Sequence, residues 1–243
     1  MSTTLELLKI APESSAEISG FLEFSAHTLQ EVALIIMALV YTTRIVWLLR
    51  FKPTKERQAP TYAGTTPTAG IVYSMANIAM PWAMESTRKG FLFYLQFALF
   101  HLGVVAAIGL SFIIPYASGL LTSVLVVTIL QIAVGLACIV ALGRMIRRIV
   151  SPVMRLISTP DDYFSLALLT VWFFFAFLAV ANNATHGEWH LATYFLMTAF
   201  FLIYVPFSKI SHYLYYPFTR FYLGRTMGHR GVYPRRVGIN YRS

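Results

Sequence analysis

The chain has 243 residues, of which 57% are hydrophobic and only 12% are charged, and its formal net charge is +9. A soluble domain carries about 25% charged residues, so this composition excludes a soluble globular protein and indicates an integral membrane protein. The lone cysteine, Cys138, excludes a disulfide within the chain, a cysteine-ligated zinc site and an iron–sulfur cluster.

The N-terminal segment, residues 1–20, contains three glutamates and one lysine and lacks the basic start of a signal peptide. Five apolar stretches follow, each long enough to cross a bilayer as a helix. The predicted fold class is therefore an all-α membrane protein, a five-transmembrane-helix bundle. We predict spans at about 21–49, 91–115, 120–142, 163–181 and 190–212, followed by a basic tail at 213–243.

The positive charges predict the orientation of this bundle. Every Lys and Arg except Lys9 lies in or beside three stretches, residues 44–89, 144–155 and 209–243. These are alternate connections of a five-span chain and so lie on one side of the membrane. The positive-inside rule then predicts an outer N-terminus and a cytoplasmic tail in the inner membrane of a prokaryote. The charges are a topology signal, so we expect lipid contacts and no nucleic acid partner.

The long connection after the first span has apolar residues at helical spacing between 71 and 82. The length is too short to span a bilayer, so the pattern predicts a helix lying on the cytoplasmic interface. A loop packed on its neighbours is the alternative.

Two histidines lie in or at the end of apolar spans, His101 in the second and His212 at the end of the fifth. The two spans run in opposite directions, so both imidazoles fall in the cytoplasmic half of the bilayer. Two imidazoles on two helices are the axial ligands that a b-type haem needs. The alternative is a pair of histidines hydrogen-bonded to neighbouring helices, or a His212 hydrated at the interface.

The motifs around these histidines, FHLGV at 100–104 and VPFSKISH at 205–212, resemble the gamma subunit of respiratory nitrate reductase. The wider family of membrane cytochromes b includes subunits of heterodisulfide-reductase-like complexes, and the resemblance covers all five spans in order. It implies haem b ligated by His101 and His212, a quinone substrate, and a cytoplasmic iron–sulfur partner subunit. That partner would be heterodisulfide-reductase-like or nitrate-reductase beta-like.

The sequence departs from that family at its second haem. The family has further histidines about ten residues after the position of His101 and about eighteen before that of His212, where this chain has Ser111 and Tyr194. We therefore expect one haem. Eighteen residues are five helical turns, which predicts Tyr194 on the same inward stripe as His212. A second haem between His27 and His190 is the alternative.

His27 and Glu31 are four residues apart and share a helix face near the outer surface. A carboxylate this deep in a span suggests a proton path to a quinone. The predicted quinone site combines them with Tyr194, Ser111 and His190 in the outer half of the bundle. A neutral, hydrogen-bonded Glu31 is the simpler interpretation. A pocket beside Trp82 and Arg88 at the cytoplasmic interface is the competing placement.

Arg44 and Lys209 are candidates for contacts with haem propionates, as are the arginines at 144, 147 and 148, although snorkelling to lipid is the default for such residues. The tail contains six arginines, which we expect to dock the partner subunit. The predicted function is an electron-relaying membrane subunit whose quinone oxidoreductase activity needs partners. The alternative is a haem-free membrane anchor or a small transporter.

Overall fold

A computed structural model describes residues 19–51, 56–60, 64–83, 85–183 and 187–234. All regular elements in these ranges are helices, and no strand occurs among them. Single turns of 3-10 helix join several of the α-helices. The helices are α1 (Gly20–Ala26), α2 (Thr28–Leu49), α3 (Pro67–Ala76), α4 (Glu85–Lys89), α5 (Phe91–Tyr116), α6 (Val124–Val150), α7 (Pro152–Ile157), α8 (Pro160–Ala179), α9 (Trp189–Tyr204) and α10 (His212–His229).

Five helical segments are long and apolar enough to cross a membrane, which confirms the five predicted spans. The five spans are Gly20–Leu49, Phe91–Tyr116, Val124–Val150, Pro160–Ala179 and Trp189–Phe207. The acidic segment 1–18 and the last tail arginines, at 235, 236 and 242, lie outside the described residues.

The third, fourth and fifth spans differ in their bounds from the prediction. The third runs from Val124 to Val150 where 120–142 was predicted. The fourth begins at Pro160 because Thr159 and Asp162 form a capping box, in which the Thr159 backbone N–H donates to the Asp162 carboxylate at 2.7 Å. The fifth ends at Phe207, since Pro206 cannot continue the hydrogen-bond ladder. Two 3-10 turns then lead to His212, so the predicted continuous stripe from Tyr194 to His212 is interrupted.

The first span is broken at His27, where α1 ends and α2 begins. The break leaves the Ser25 carbonyl without its usual helical partner. The buried Gln30 side chain donates to that carbonyl at 3.0 Å and to the Phe195 carbonyl of α9 at 2.7 Å. The Gln30 amide therefore donates to a carbonyl group at the break and also joins the first span to the fifth.

The fifth span is the centre of the bundle. In its apolar window 56% of the residues are buried, against 6% in the first span. Helix α9 packs on α2 and on α8, while α8 packs on α6 and α6 on α5. The core between them is aromatic, with Trp172, Phe173, Tyr194 and Phe195 all buried. In the described part of the chain, α2 and α5 do not pack along each other.

Helices α3 and α10 form a tight pair at the end of the bundle that carries Arg44, Arg144 and Lys209, called here the basic end. Gly70 of α3 meets Gly224 and Gly228 of α10 so closely that a Cβ on any of the three would collide with backbone atoms of the other helix. A Glu56–Arg230 ion pair at 2.9 Å closes the far end of α10. The stretch predicted as an interfacial helix is thus partly helical, and it packs on the tail helix.

Candidate functional site

The structure brings His101 of α5 and His212 of α10 together. Their ring centres are 6.3 Å apart, and the ring planes are nearly perpendicular, at 83°. His101 is half-buried and His212 is exposed. Aromatic rings surround the pair, with Phe97 at 4.2 Å and Phe100 at 5.6 Å from the His101 ring centre and Tyr213 at 6.5 Å from that of His212.

Both imidazoles are oriented by the backbone through the same ring atom. Nδ1 of His101 lies 2.8 Å from the Phe97 carbonyl oxygen, and Nδ1 of His212 lies 3.2 Å from that of Lys209. A carbonyl oxygen can only accept, so in each contact Nδ1–H donates. This leaves Nε2 of both rings as the atom with a free lone pair, which is the arrangement found in metal-bound histidines.

The separation of the rings fits two axial ligands of one iron. A metal–imidazole bond is about 2 Å long and the ring centre lies about 1 Å behind the ligating nitrogen, so two axial imidazoles have ring centres about 6 Å apart. In the described part of the chain, no three His, Cys, Asp or Glu side chains converge as a bare metal ion would need. A haem iron takes only two protein ligands, so a pair of histidines is enough for such a site.

His27, Glu31 and Tyr116 meet at the opposite end of the bundle. The Tyr116 hydroxyl donates to the Glu31 carboxylate at 2.9 Å, and the His27 ring makes an edge contact with the Tyr116 ring at 5.2 Å. The predicted His27–Glu31 pair is therefore extended by a tyrosine of the second span. The His190 ring packs against that of its chain neighbour Trp189, at 5.8 Å.

Between the histidine pair and this cluster, α2 and α5 present exposed faces. Positions 101, 105 and 109 share one face of α5 because residues four apart are neighbours on a helix. Val105 is 68% exposed, and a Cβ built on Gly109 would meet nothing within 4 Å. On α2, Ile35 is 60% exposed and Ala38 is also exposed. This face leaves room beside His101 for a flat apolar group.

The polar side chains next to His212 belong to α2 and α10. The Tyr41 and Tyr213 hydroxyls are 2.5 Å apart, and Arg44 donates to the Tyr215 hydroxyl at 3.2 Å. Burial raises the pKa of the Tyr213 phenol above its usual value, so Tyr213 is neutral at physiological pH. Arg44 thus contacts α10 three residues after His212, and its contact with a propionate stays a prediction.

Lys209, the other predicted propionate contact, is held elsewhere. Its ammonium group donates to the Asp162 carboxylate at 3.1 Å and to the Thr159 hydroxyl at 2.8 Å. These contacts join the turn before α10 to the start of α8. Lys209 therefore holds the turn whose backbone carbonyl orients His212, and its contact with a propionate stays a prediction.

Tyr194 and Ser111, which replace the second pair of family histidines, lie in the packed core. Tyr194 is fully buried, and its hydroxyl donates to the Ala107 carbonyl at 2.6 Å. The Trp172 ring stacks beside it at 6.4 Å, and the Ser111 hydroxyl bonds back to the Ile108 carbonyl. These side chains fill the volume in which the sequence predicted space for a quinone, and they are in different surroundings from the His27–Glu31–Tyr116 cluster.

Sequence reasoning missed Tyr116 and the glycine contact of α10. Tyr116 is fifteen residues after His101, which is close to four turns of α5 at 3.6 residues per turn. This spacing is a signal in the sequence from which Tyr116 could have been added to the candidate residues. Gly224 and Gly228 are four apart in the tail, a spacing typical of closely packed helices. The shared hydroxyl contact of Tyr41 and Tyr213 has no such signal, because it depends on how α2 and α10 cross.

The chain was compared with known proteins. A protein of Nitratidesulfovibrio vulgaris is 30% identical over 159 residues, which cover 64% of this chain and 70% of that protein. The two chains belong to one family. The description of the Nitratidesulfovibrio member gives no activity, cofactor or partner. No family model and no solved structure matches the chain. Membership of this family therefore assigns no function, and the resemblance to nitrate reductase gamma subunits stays a prediction.

Proposed function

We propose that the chain is a haem b-binding membrane subunit that relays electrons between a quinone pool and an iron–sulfur partner protein. One observation carries the proposal, the 6.3 Å separation of the His101 and His212 rings with both Nδ1 atoms bound to carbonyl oxygens. A haem between these residues would accept and donate one electron at a time. The resemblance of the FHLGV and VPFSKISH motifs to the nitrate reductase gamma family agrees with this assignment.

In this proposal the two Nε2 atoms hold the iron, and the carbonyl oxygens of Phe97 and Lys209 fix the ring orientations. The nearby Arg44 guanidinium supplies a positive charge for a propionate. The filled core around Tyr194 favours one haem per chain over two.

The basic end is assigned to the cytoplasm by the positive-inside rule. It carries the α3–α10 pair. Weak redox encounters bury less than about 1,200 Å² in total, so a small docking surface suffices for the partner. We expect the arginines of α10 to bind an acidic surface of the iron–sulfur subunit through charge complementarity.

The His27–Glu31–Tyr116 cluster is proposed to exchange protons with a quinone. Reduction of a quinone to a quinol consumes two electrons and two protons, so the site needs acidic groups with access to water. The Glu31 carboxylate accepts from the Tyr116 hydroxyl, and the His27 ring contacts the Tyr116 ring. These groups lie at the opposite end of the bundle from the histidine pair.

The haem assignment is tested by measuring the haem content of the purified chain with a pyridine haemochrome assay. We expect one haem b per chain, and no low-spin spectrum in His101→Ala or His212→Ala. His229→Ala is the matched control, because the His229 ring bonds the Gln58 carbonyl at the other end of α10 from His212. Two haems per chain, or an unchanged spectrum in either ligand variant, would contradict the assignment.

The proton role is tested by Tyr116→Phe and Glu31→Gln. Both should slow haem reduction by quinol by about 10²-fold, the usual size of a general acid–base contribution, with the haem spectrum unchanged. Normal kinetics in both variants, with loss in Trp82 or Arg88 variants, would move the quinone site to the basic end.

A haem-free membrane anchor is the second candidate function. The same 6.3 Å separation and perpendicular planes lie within the range of direct edge-to-face ring packing. In that case the histidines simply join α5 to α10, and the α3–α10 pair holds a partner at the membrane. The purified chain would then show no Soret absorbance.

A further inference from the structure

A pocket of about 280 Å³ opens at the basic end between α5, α6 and α8. Three arginines of α6, Arg144, Arg147 and Arg148, line it together with Gln96 of α5. Their spacing of three and four residues places the three guanidinium groups on one helix face. This arginine pocket lies beside the histidine pair, because the Arg144 guanidinium covers the Phe100 ring, which is 5.6 Å from the His101 ring.

The acidic side chains of the pocket are already engaged. Asp162 accepts from the Thr159 backbone at 2.7 Å and from Lys209 at 3.1 Å, and it lies 3.7 Å from Arg148. Asp161 accepts from the Tyr204 hydroxyl at 2.7 Å. Both carboxylates are therefore bound to groups other than Arg144 and Arg147.

Arg144 and Arg147 are the unneutralised cations of the pocket. Arg144 lies over the Phe100 ring at 5.2 Å and Arg147 over the Phe93 ring at 4.7 Å. Among the described residues, neither has an ion pair or a hydrogen bond to an acceptor. Like charges at this spacing repel each other, so an anion bound between them would remove a repulsion and satisfy their N–H donors.

The surroundings of the pocket place it at the level of a lipid headgroup. Helix α7 follows α6 directly and exposes Val153, Leu156 and Ile157, which are 65% exposed or more. The last residues of α6, Ile149 and Val150, are also exposed. Apolar side chains exposed next to arginines are typical of the boundary between acyl chains and phosphates.

We propose that the arginine pocket binds the phosphate of an anionic phospholipid headgroup. The guanidinium fork matches phosphate oxygens in a bidentate arrangement. At about 30 Å³ per water molecule, the volume holds a phosphate and part of its glycerol, while the acyl chains lie along the exposed apolar surface. This proposal does not depend on haem binding.

The test is native mass spectrometry and thermal unfolding of the purified full chain in detergent, with phosphatidylglycerol added. Arg144→Gln and Arg147→Gln should each weaken the lipid adduct by about 10-fold, the effect of losing one charge-assisted hydrogen bond. Arg155→Gln is the matched control, because Arg155 is an exposed arginine of α7 that does not line the pocket. Arg147→Lys, which keeps the charge and loses the fork, should bind with intermediate affinity.

The unfolding temperature without lipid separates binding from folding. Removal of one of the clustered charges should not lower it, while the stabilisation by phosphatidylglycerol should disappear. Equal lipid stabilisation in the Arg144, Arg147 and Arg155 variants would overturn the proposal. Inorganic phosphate that gave the same arginine-dependent stabilisation as the lipid would also overturn it, because the source would then be a free anion. An unchanged haem content in the Gln variants would exclude loss of haem as the cause of the lost lipid stabilisation.

Discussion

The contact between α3 and α10 gives a sharp prediction for Gly224→Ala. A Cβ at this position would lie 2.6 Å from both the Gly70 carbonyl oxygen and the Ile71 Cα, and 2.8 Å from the Ser74 Cβ. Two of these atoms are backbone, so rotation of a side chain cannot relieve the overlap. The helices have to separate by about 0.8 Å to reach the 3.4 Å of an ordinary contact.

Overpacking of this kind costs about 1–3 kcal/mol, while alanine gains up to about 1 kcal/mol over glycine in a helix. Gly143→Ala measures the second effect alone, because a Cβ on Gly143 of α6 would meet nothing within 4 Å. We expect Gly224→Ala to lower the free energy of opening of the α3–α10 pair by about 1–3 kcal/mol relative to Gly143→Ala.

Amide hydrogen exchange of the full chain in detergent measures this difference. Each 1.4 kcal/mol of opening free energy changes the opening equilibrium constant tenfold. The amides of α3 should therefore exchange about 5- to 150-fold faster in Gly224→Ala than in Gly143→Ala. The exchange of α6 and α8 should not change, because neither helix contributes to the glycine contact. Equal exchange of α3 in the two alanine variants would refute the inference that these glycines set the distance between the helices.

Three further predictions concern the bundle. Tyr194→Phe should cost about 1 kcal/mol of unfolding free energy, because the Ala107 carbonyl loses a buried hydrogen bond; an unchanged thermal midpoint would contradict this. Gln30→Leu should cost about 1–3 kcal/mol, since it leaves two carbonyl groups without their donor, and exchange should rise first in α1. Hydrogen bonds from Ser19 lower the pKa of Glu188 below its ordinary 4.5, so its contribution to stability is present above that pH and is lost as the pH falls through the lowered pKa. Thermal midpoints measured from about pH 6 to pH 3 should therefore fall less in Glu188→Gln than in the unaltered chain.

The number of spans could be predicted from the sequence because apolar stretches of this length have few alternatives in a chain with so little charge. The ends were harder to predict. The start of α8 depends on a capping box whose Thr159 and Asp162 are visible in the sequence, whereas the end of α9 depends on Pro206 and on two 3-10 turns. Because of those turns, the prediction that Tyr194 and His212 lie on one inward face of a helix was wrong. It assumed one continuous helix from Tyr194 to His212.

That His101 and His212 lie close together was predicted, and the structure places their ring centres 6.3 Å apart. The surroundings of the pair could not be predicted, because they depend on how separate helices cross. Lys209 is one example. Its position in the sequence suggested a contact with a haem propionate, whereas in the structure its ammonium group pairs with the Asp162 carboxylate of α8. Tyr116 is a similar case, because only the crossing of α2 and α5 brings it to Glu31.

The central position of α9 has a consequence for biosynthesis. Helix α2 packs mainly on α9, yet three spans and their connections separate the insertion of the first span from that of the fifth. During synthesis the first span therefore waits in the bilayer with Gln30 lacking its partner carbonyl on α9. The bundle can close only when the fifth span enters the membrane, so a ribosome that stalls before residue 189 should leave four spans that a membrane protease recognises as incomplete.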